Sequence, residues 1–102
     1  MVSITRNLKR LVYLISPSKI YPNFYIDLNK VLASKKVFFF QLRLKNKTPG
    51  EVVKIAKKIK KITHKYNVKL IINDNSLIAK KVNADGCHLG QNDDTIELSR
   101  KN

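Results

Sequence analysis

Short apolar runs alternate along this chain with stretches whose apolar residues recur every three or four positions. No other feature constrains the fold as strongly. Residues 11–16 (LVYLIS) form an apolar run stopped by Pro17 and read as a strand. Residues 37–42 (VFFFQL), 68–73 (VKLIIN) and 85–89 (DGCHL) read as three more. Between the first two, Leu28, Val31 and Leu32 predict a short helix over residues 26–34. The best defined element begins at Thr48, which can cap a helix with Pro49 at its first position and Glu51 completing a T-x-x-E capping box. Val52, Ile55, Ile59, Ile62 and Tyr66 then form one apolar stripe, with lysines 54, 57, 58, 60, 61 and 65 largely off it. A short helix is expected over residues 76–82, and Ile96 and Leu98 suggest the start of one more. Strands alternating with helices imply an α/β fold with parallel pairing and right-handed crossovers.

At 102 residues the chain is expected to hold a single domain. The apolar runs are too short to span a membrane, and residues 1–10 lack the apolar core of a signal peptide. A lone cysteine, Cys87, provides no disulfide framework and points to a cytoplasmic location. The net charge of +14 suggests a polyanionic partner. Against that, 17 lysines stand beside 4 arginines, with abundant isoleucine and asparagine, the pattern of drift in A- and T-rich coding sequence. Nucleic-acid sites favour arginine, whose planar fork matches phosphate and base edges.

Three clusters could carry chemistry. Along FQLRLKNK, strand alternation would place Gln41, Arg43 and Lys45 on one side, an arrangement suited to a phosphate or diphosphate. The competing reading is an edge strand with a polar outer face. In IINDNS, Asn73 and Asp74 end a strand where parallel α/β folds gather ligands, although Asp74 could serve only as a helix cap. In ADGCHLGQNDD, His88 reads as a packed strand residue on the face away from Cys87, and Gly90 permits close backbone approach. Asp93 and Asp94 stand at a loop or helix start as metal carboxylates or caps. His64 sits among solvated lysines, and Ser76 has no base partner by spacing. Zinc, P-loop and dinucleotide motifs do not occur.

In order and spacing, YLIS, QLRLK, IIND and ADGCHLGQND resemble the thiamine phosphate synthase family over residues 11–94. The resemblance implies the N-terminal half, about four βα units, of a (βα)8 TIM barrel, which normally needs roughly 200 residues or more. Residues 1–102 would then be one truncated domain of a transferase. That family joins hydroxymethylpyrimidine diphosphate to thiazole phosphate, giving thiamine phosphate and diphosphate. By carry-over, Gln41, Arg43, Lys45 and Asn73 hold the pyrimidine diphosphate, while Asp74 and Asp93 bind Mg2+. Asp93 follows Asp74 by 19 residues, the interval expected between the family's two magnesium carboxylates. Leu44, Asn75 and Asn92 depart from residue types expected beside those ligands.

The thiazole-phosphate groups of the family belong to later strands, so turnover by residues 1–102 alone is not expected, and a complementary C-terminal half or a homo-oligomer is the expected partner. Neither a specific nucleic acid nor a membrane is expected. The complete Gln41/Arg43/Lys45 set and the Asp74/Asp93 pair favour the synthase over the related thiazole tautomerases, which hold no diphosphate. Alternatives are a small basic nucleic-acid-binding protein and a non-catalytic remnant. Four parallel strands alone would leave both outer strands unpaired and apolar side chains around Phe38–Phe40 exposed.

Overall fold

The computed structural model describes residues 3–8, 11–88 and 96–98. Nine elements follow one another among them: β1 (Ser3–Leu8), β2 (Leu11–Ile15), α1 (Phe24–Ala33), β3 (Val37–Leu42), α2 (Pro49–Lys65), β4 (Lys69–Asn73), α3 (Ser76–Lys81), β5 (Gly86–His88) and β6 (Ile96–Leu98). They build one sheet in the order β1-β2-β3-β4-β5-β6. The inner four strands, β2 to β5, are parallel and joined through the helices. The outer two are antiparallel to their neighbours.

Both outer strands correct the sequence reading. Ile96 and Leu98 were expected to open a helix, yet Ile96–Leu98 pairs with β5, Gly86 facing Leu98 and His88 facing Ile96. Two apolar residues two positions apart carry the strand period, and the free edge of β5 supplies hydrogen-bond partners that a single turn of helix would lack. The segment SITRNL, with no apolar run of its own, pairs with β2 for the same reason. The parallel strands therefore do not end in bare ladders at β2 and β5.

Helix α1 begins two residues earlier than its apolar spacing suggests, at Phe24. That residue completes an i, i+4, i+8 series with Leu28 and Leu32, all three fully buried. Burying each such side chain contributes about 1.5–3 kcal/mol. Helix α2 starts as the capping box requires. The Thr48 hydroxyl accepts from the Glu51 N–H at 3.2 Å, and the Glu51 carboxylate accepts from the Thr48 N–H at 3.0 Å. Its most buried line is Ala56, Ile59 and Thr63, with Val52, Ile55, Ile62 and Tyr66 packed along the flanks. After α2 and α3, Asn67 and Asn83 take left-handed conformations with φ of 61° and 57°. The amides of Asn67 and Val68 then bond back to the carbonyls of His64 and Thr63, closing the end of α2.

The sheet buries both faces. Leu14, Phe40, Leu42, Leu70, Ile72 and Cys87 pack toward the helices in one core. On the other face Tyr13, Gln41 and Ile71 are 7%, 3% and 0% exposed. Of the three phenylalanines expected to be bared, Phe38 is exposed, Phe39 is half-buried against the Tyr13 ring, and Phe40 lies fully inside. Among the described residues no helix is long and apolar enough to cross a membrane.

Candidate functional site

All four parallel strands deliver their carboxyl ends to one side of the sheet, where α/β folds hold ligands. There the chain is tied together strand by strand. The Ser16 amide, just after β2, donates to the Gln41 carbonyl at 2.9 Å, and the Ser16 hydroxyl accepts from the Arg43 amide at 2.8 Å. Two residues on, the Lys45 amide donates to the Ser18 carbonyl at 3.1 Å. Across the sheet the Asp74 amide donates to the His88 carbonyl at 2.8 Å. The backbone of every candidate residue from Gln41 to Asp74 is therefore held at this rim by a neighbouring strand.

Gln41 lies on the sheet face opposite the helices, in register with Ile15 and Ile71. Its Nε2–H donates to the Tyr13 hydroxyl at 2.7 Å, which orients the amide in a buried setting. Strand alternation was expected to carry Arg43 and Lys45 onto the same face. Instead β3 ends at Leu42, and both cations stand exposed on the following loop. The loop turns at Asn46, whose φ is 58°. Alternation applies only while the ladder continues, so the grouping of these three residues comes from the loop and its bonds to Ser16 and Ser18.

Asn73 closes β4, half-buried, with its Oδ1 3.3 Å from the His88 Nδ1. The next residue, Asp74, adopts φ of 58° and is exposed. Asn75, not Asp74, caps α3, its side chain accepting from the Ile78 N–H at 2.9 Å. The helix-cap reading of Asp74 is thereby removed. Its carboxylate has no hydrogen bond or ion pair among the described residues. Left-handed backbone costs about 1–3 kcal/mol at a non-glycine residue and gathers at functional sites, although aspartate tolerates it better than most. Asp93, Asp94 and Gly90 lie outside the described residues.

Tyr13, Ser16 and His88 join this rim without having been singled out as ligands. For Tyr13 the deciding fact is the β2–β3 register, which pairs it with Phe39 and so sets it diagonally beside Gln41, and which spacing along the chain does not encode. His88 is held by Asn73 on the face away from Cys87, in agreement with the alternation along β5. Ser76 and His64 are both exposed; Ser76 opens α3 two residues after Asp74, whereas His64 lies in the last turn of α2, at the other end of the sheet.

The arrangement offers two exposed cations, two oriented amides and a carboxylate with no partner among the described residues. Such a set suits an anionic ligand bridged by a hard cation. Magnesium takes oxygen ligands, commonly one or two carboxylates completed by phosphate oxygens and water. Asp74 fits that role. No group of three or more potential metal-binding side chains gathers among the described residues, so phosphate oxygens would have to complete the shell.

Comparisons with known proteins converge. The family model described as thiamine monophosphate synthase matches residues 12–102. A thiamine-phosphate synthase of Pelagibacter ubique (strain HTCC1062) is 60% identical over 94 residues, covering 91% of this chain and 45% of the relative. One from Clostridium tetani (strain Massachusetts / E88) is 43% identical over 99 residues, covering 94% of this chain and 46% of the relative. Among solved structures, the thiamine phosphate pyrophosphorylase from Pyrococcus furiosus matches with a TM-score of 0.65 at 26% identity, over 79% of this chain and 39% of that one. The chain spans less than half the length of these curated relatives, and its four parallel strands correspond to part of the barrel fold.

Proposed function

Since this chain belongs to the thiamine monophosphate synthase family, we propose that it carries the pyrimidine-diphosphate side of a thiamine phosphate synthase site. In that reaction the bond between the methylene carbon of hydroxymethylpyrimidine diphosphate and its ester oxygen breaks, diphosphate leaves with the electron pair, and the methylene carbon bonds to the nitrogen of thiazole phosphate. Charge accumulates on the departing oxygens, so groups that meet it there lower the barrier more than groups that merely bind substrate.

The observation that carries this reading is the rim itself, where the Gln41–Lys45 segment and the Asn73–Asp74 pair are fixed by cross-strand bonds. Gln41 and Asn73 hold the pyrimidine diphosphate through their amides. Arg43 presents a planar fork and Lys45 a mobile point charge to the diphosphate oxygens. Asp74, with Asp93, would hold Mg2+. Magnesium, when bound, neutralises negative charge on the leaving group. The thiazole-phosphate groups belong to later strands of the barrel, so turnover requires a complementary C-terminal half. A cytoplasmic location goes with this reading.

Calorimetry on the chain with hydroxymethylpyrimidine diphosphate tests the assignment. Binding should be tighter with magnesium than without, and Asp74→Ala should remove the difference. Equal affinity with and without the metal in the unaltered chain would sink the Asp74 role. Absence of binding in either condition would sink the wider reading.

A further inference from the structure

Helix α2 carries lysines on two flanks, and the two are treated differently. Toward α1, Lys58 lies 5.7 Å over the Tyr25 ring and Lys65 lies 5.1 Å over the Tyr66 ring. Toward α3, Lys57, Lys60, Lys61 and His64 line a groove of about 550 Å³ with Lys81, Val82 and Asn83. None of these four lysines has an ion pair, ring contact or side-chain hydrogen bond among the described residues. Lys57, Lys60 and Lys61 recur at three- and four-residue steps on α2 and repel one another, while Lys81 comes from α3. No carboxylate lines the groove among the described residues.

Its position separates it from the rim described above. A helix that follows a parallel strand runs back against it, so the last turns of α2 and α3 lie at the opposite end of the sheet from Asp74. The volume falls within the roughly 300–1,000 Å³ of small-molecule clefts, but such clefts are lined mainly by apolar and aromatic side chains. Here the single apolar liner among the described residues is Val82, itself buried. Lysine stems form the walls and ammonium groups the rim. An anionic membrane would be met by cations around an exposed apolar surface, yet exposed Leu77 of α3 does not line the groove. An extended strand bearing regularly spaced charges fits better.

We propose that this groove binds the phosphodiester backbone of a single-stranded nucleic acid, with Lys57, Lys60, Lys61 and Lys81 each meeting a phosphate. With neither arginine nor an aromatic ring in the lining among the described residues, bases are not read and binding is independent of sequence. The surface operates apart from the diphosphate site.

Fluorescence anisotropy on the full chain with a labelled single-stranded RNA of about 12 nucleotides tests it. Four phosphate contacts give a weakening of about 50-fold between roughly 50 and 200 mM salt. A variant carrying Lys57→Gln, Lys61→Gln and Lys81→Gln, all exposed positions, should lose about tenfold in affinity and most of its salt dependence. A control carrying Lys19→Gln, Lys30→Gln and Lys36→Gln removes the same charge outside the groove and should change affinity by less than about threefold. Circular dichroism checks that both variants fold. Equal losses in the two variants would assign binding to net charge and overturn the proposal. So would absence of RNA binding, or binding confined to vesicles of phosphatidylserine and phosphatidylcholine.

Discussion

Replacing Tyr13 by phenylalanine removes one oxygen from the protein and isolates the contact that orients Gln41. The two side chains are 7% and 3% exposed, and the bond between them is 2.7 Å long. Without the phenol oxygen, the Gln41 Nε2–H stays buried with this acceptor gone. An unsatisfied buried donor costs about 1–3 kcal/mol, more than the roughly 0.5–1.5 kcal/mol net value of a hydrogen bond. Each kcal/mol shifts the midpoint of a small domain by about 4–8 °C, so Tyr13→Phe should melt several degrees lower. Tyr13 has further interactions of its own, so the single loss is not the worth of this bond alone. The double variant Tyr13→Phe/Gln41→Leu removes both partners and should lose less than the sum of the single losses by about 0.5–3 kcal/mol. Urea unfolding of all four proteins measures it, provided the slopes agree. Strictly additive losses would show that the two side chains are not coupled and that the Gln41 amide is not held from Tyr13.

Thr48→Ala should cost about 1 kcal/mol by urea unfolding, because the hydroxyl that accepts from the Glu51 amide disappears. Glu51 itself is held below its ordinary value of 4.5, first by the Thr48 backbone amide, then by the Thr48 side chain and Lys47. A depressed carboxylate contributes stability above its unfolded value and loses it as pH falls through the lower folded one. The melting temperature should therefore drop on acidification below that ordinary value, and part of the drop should vanish in Glu51→Gln. Asp74→Asn should leave stability within about 0.5 kcal/mol, since asparagine also accepts the left-handed backbone and the side chain is exposed. The same variant should abolish the magnesium dependence of pyrimidine-diphosphate binding. Asn75→Ala should do the reverse, costing about 1 kcal/mol through the lost cap while keeping the metal effect.

Local patterning was sufficient for the inner elements. The capping box at Thr48, the apolar run from Val37 and the helical spacing of Leu28 and Leu32 each state a preference that their own neighbours satisfy, and the structure follows them. The alternation of strands and helices implied parallel order, and the four motifs in series pointed to the family that the comparisons then showed. Tertiary structure decided what depends on a neighbouring strand. Ser3–Leu8 and Ile96–Leu98 become strands because β2 and β5 each present an open edge, a property of the sheet that no run within SITRNL or IEL records. Register places Gln41 within reach of Tyr13, 28 residues away in the chain, and packing then buries both. Asp74 and Asn75 are each plausible caps by spacing. The backbone bond from Asp74 to His88 carries the β4 ladder one residue past Asn73, and the helix then starts at Ser76, which leaves Asn75 at the cap position and Asp74 outside the helix. Residue types can therefore be read along the chain, whereas the directions in which they point are set by pairing across it.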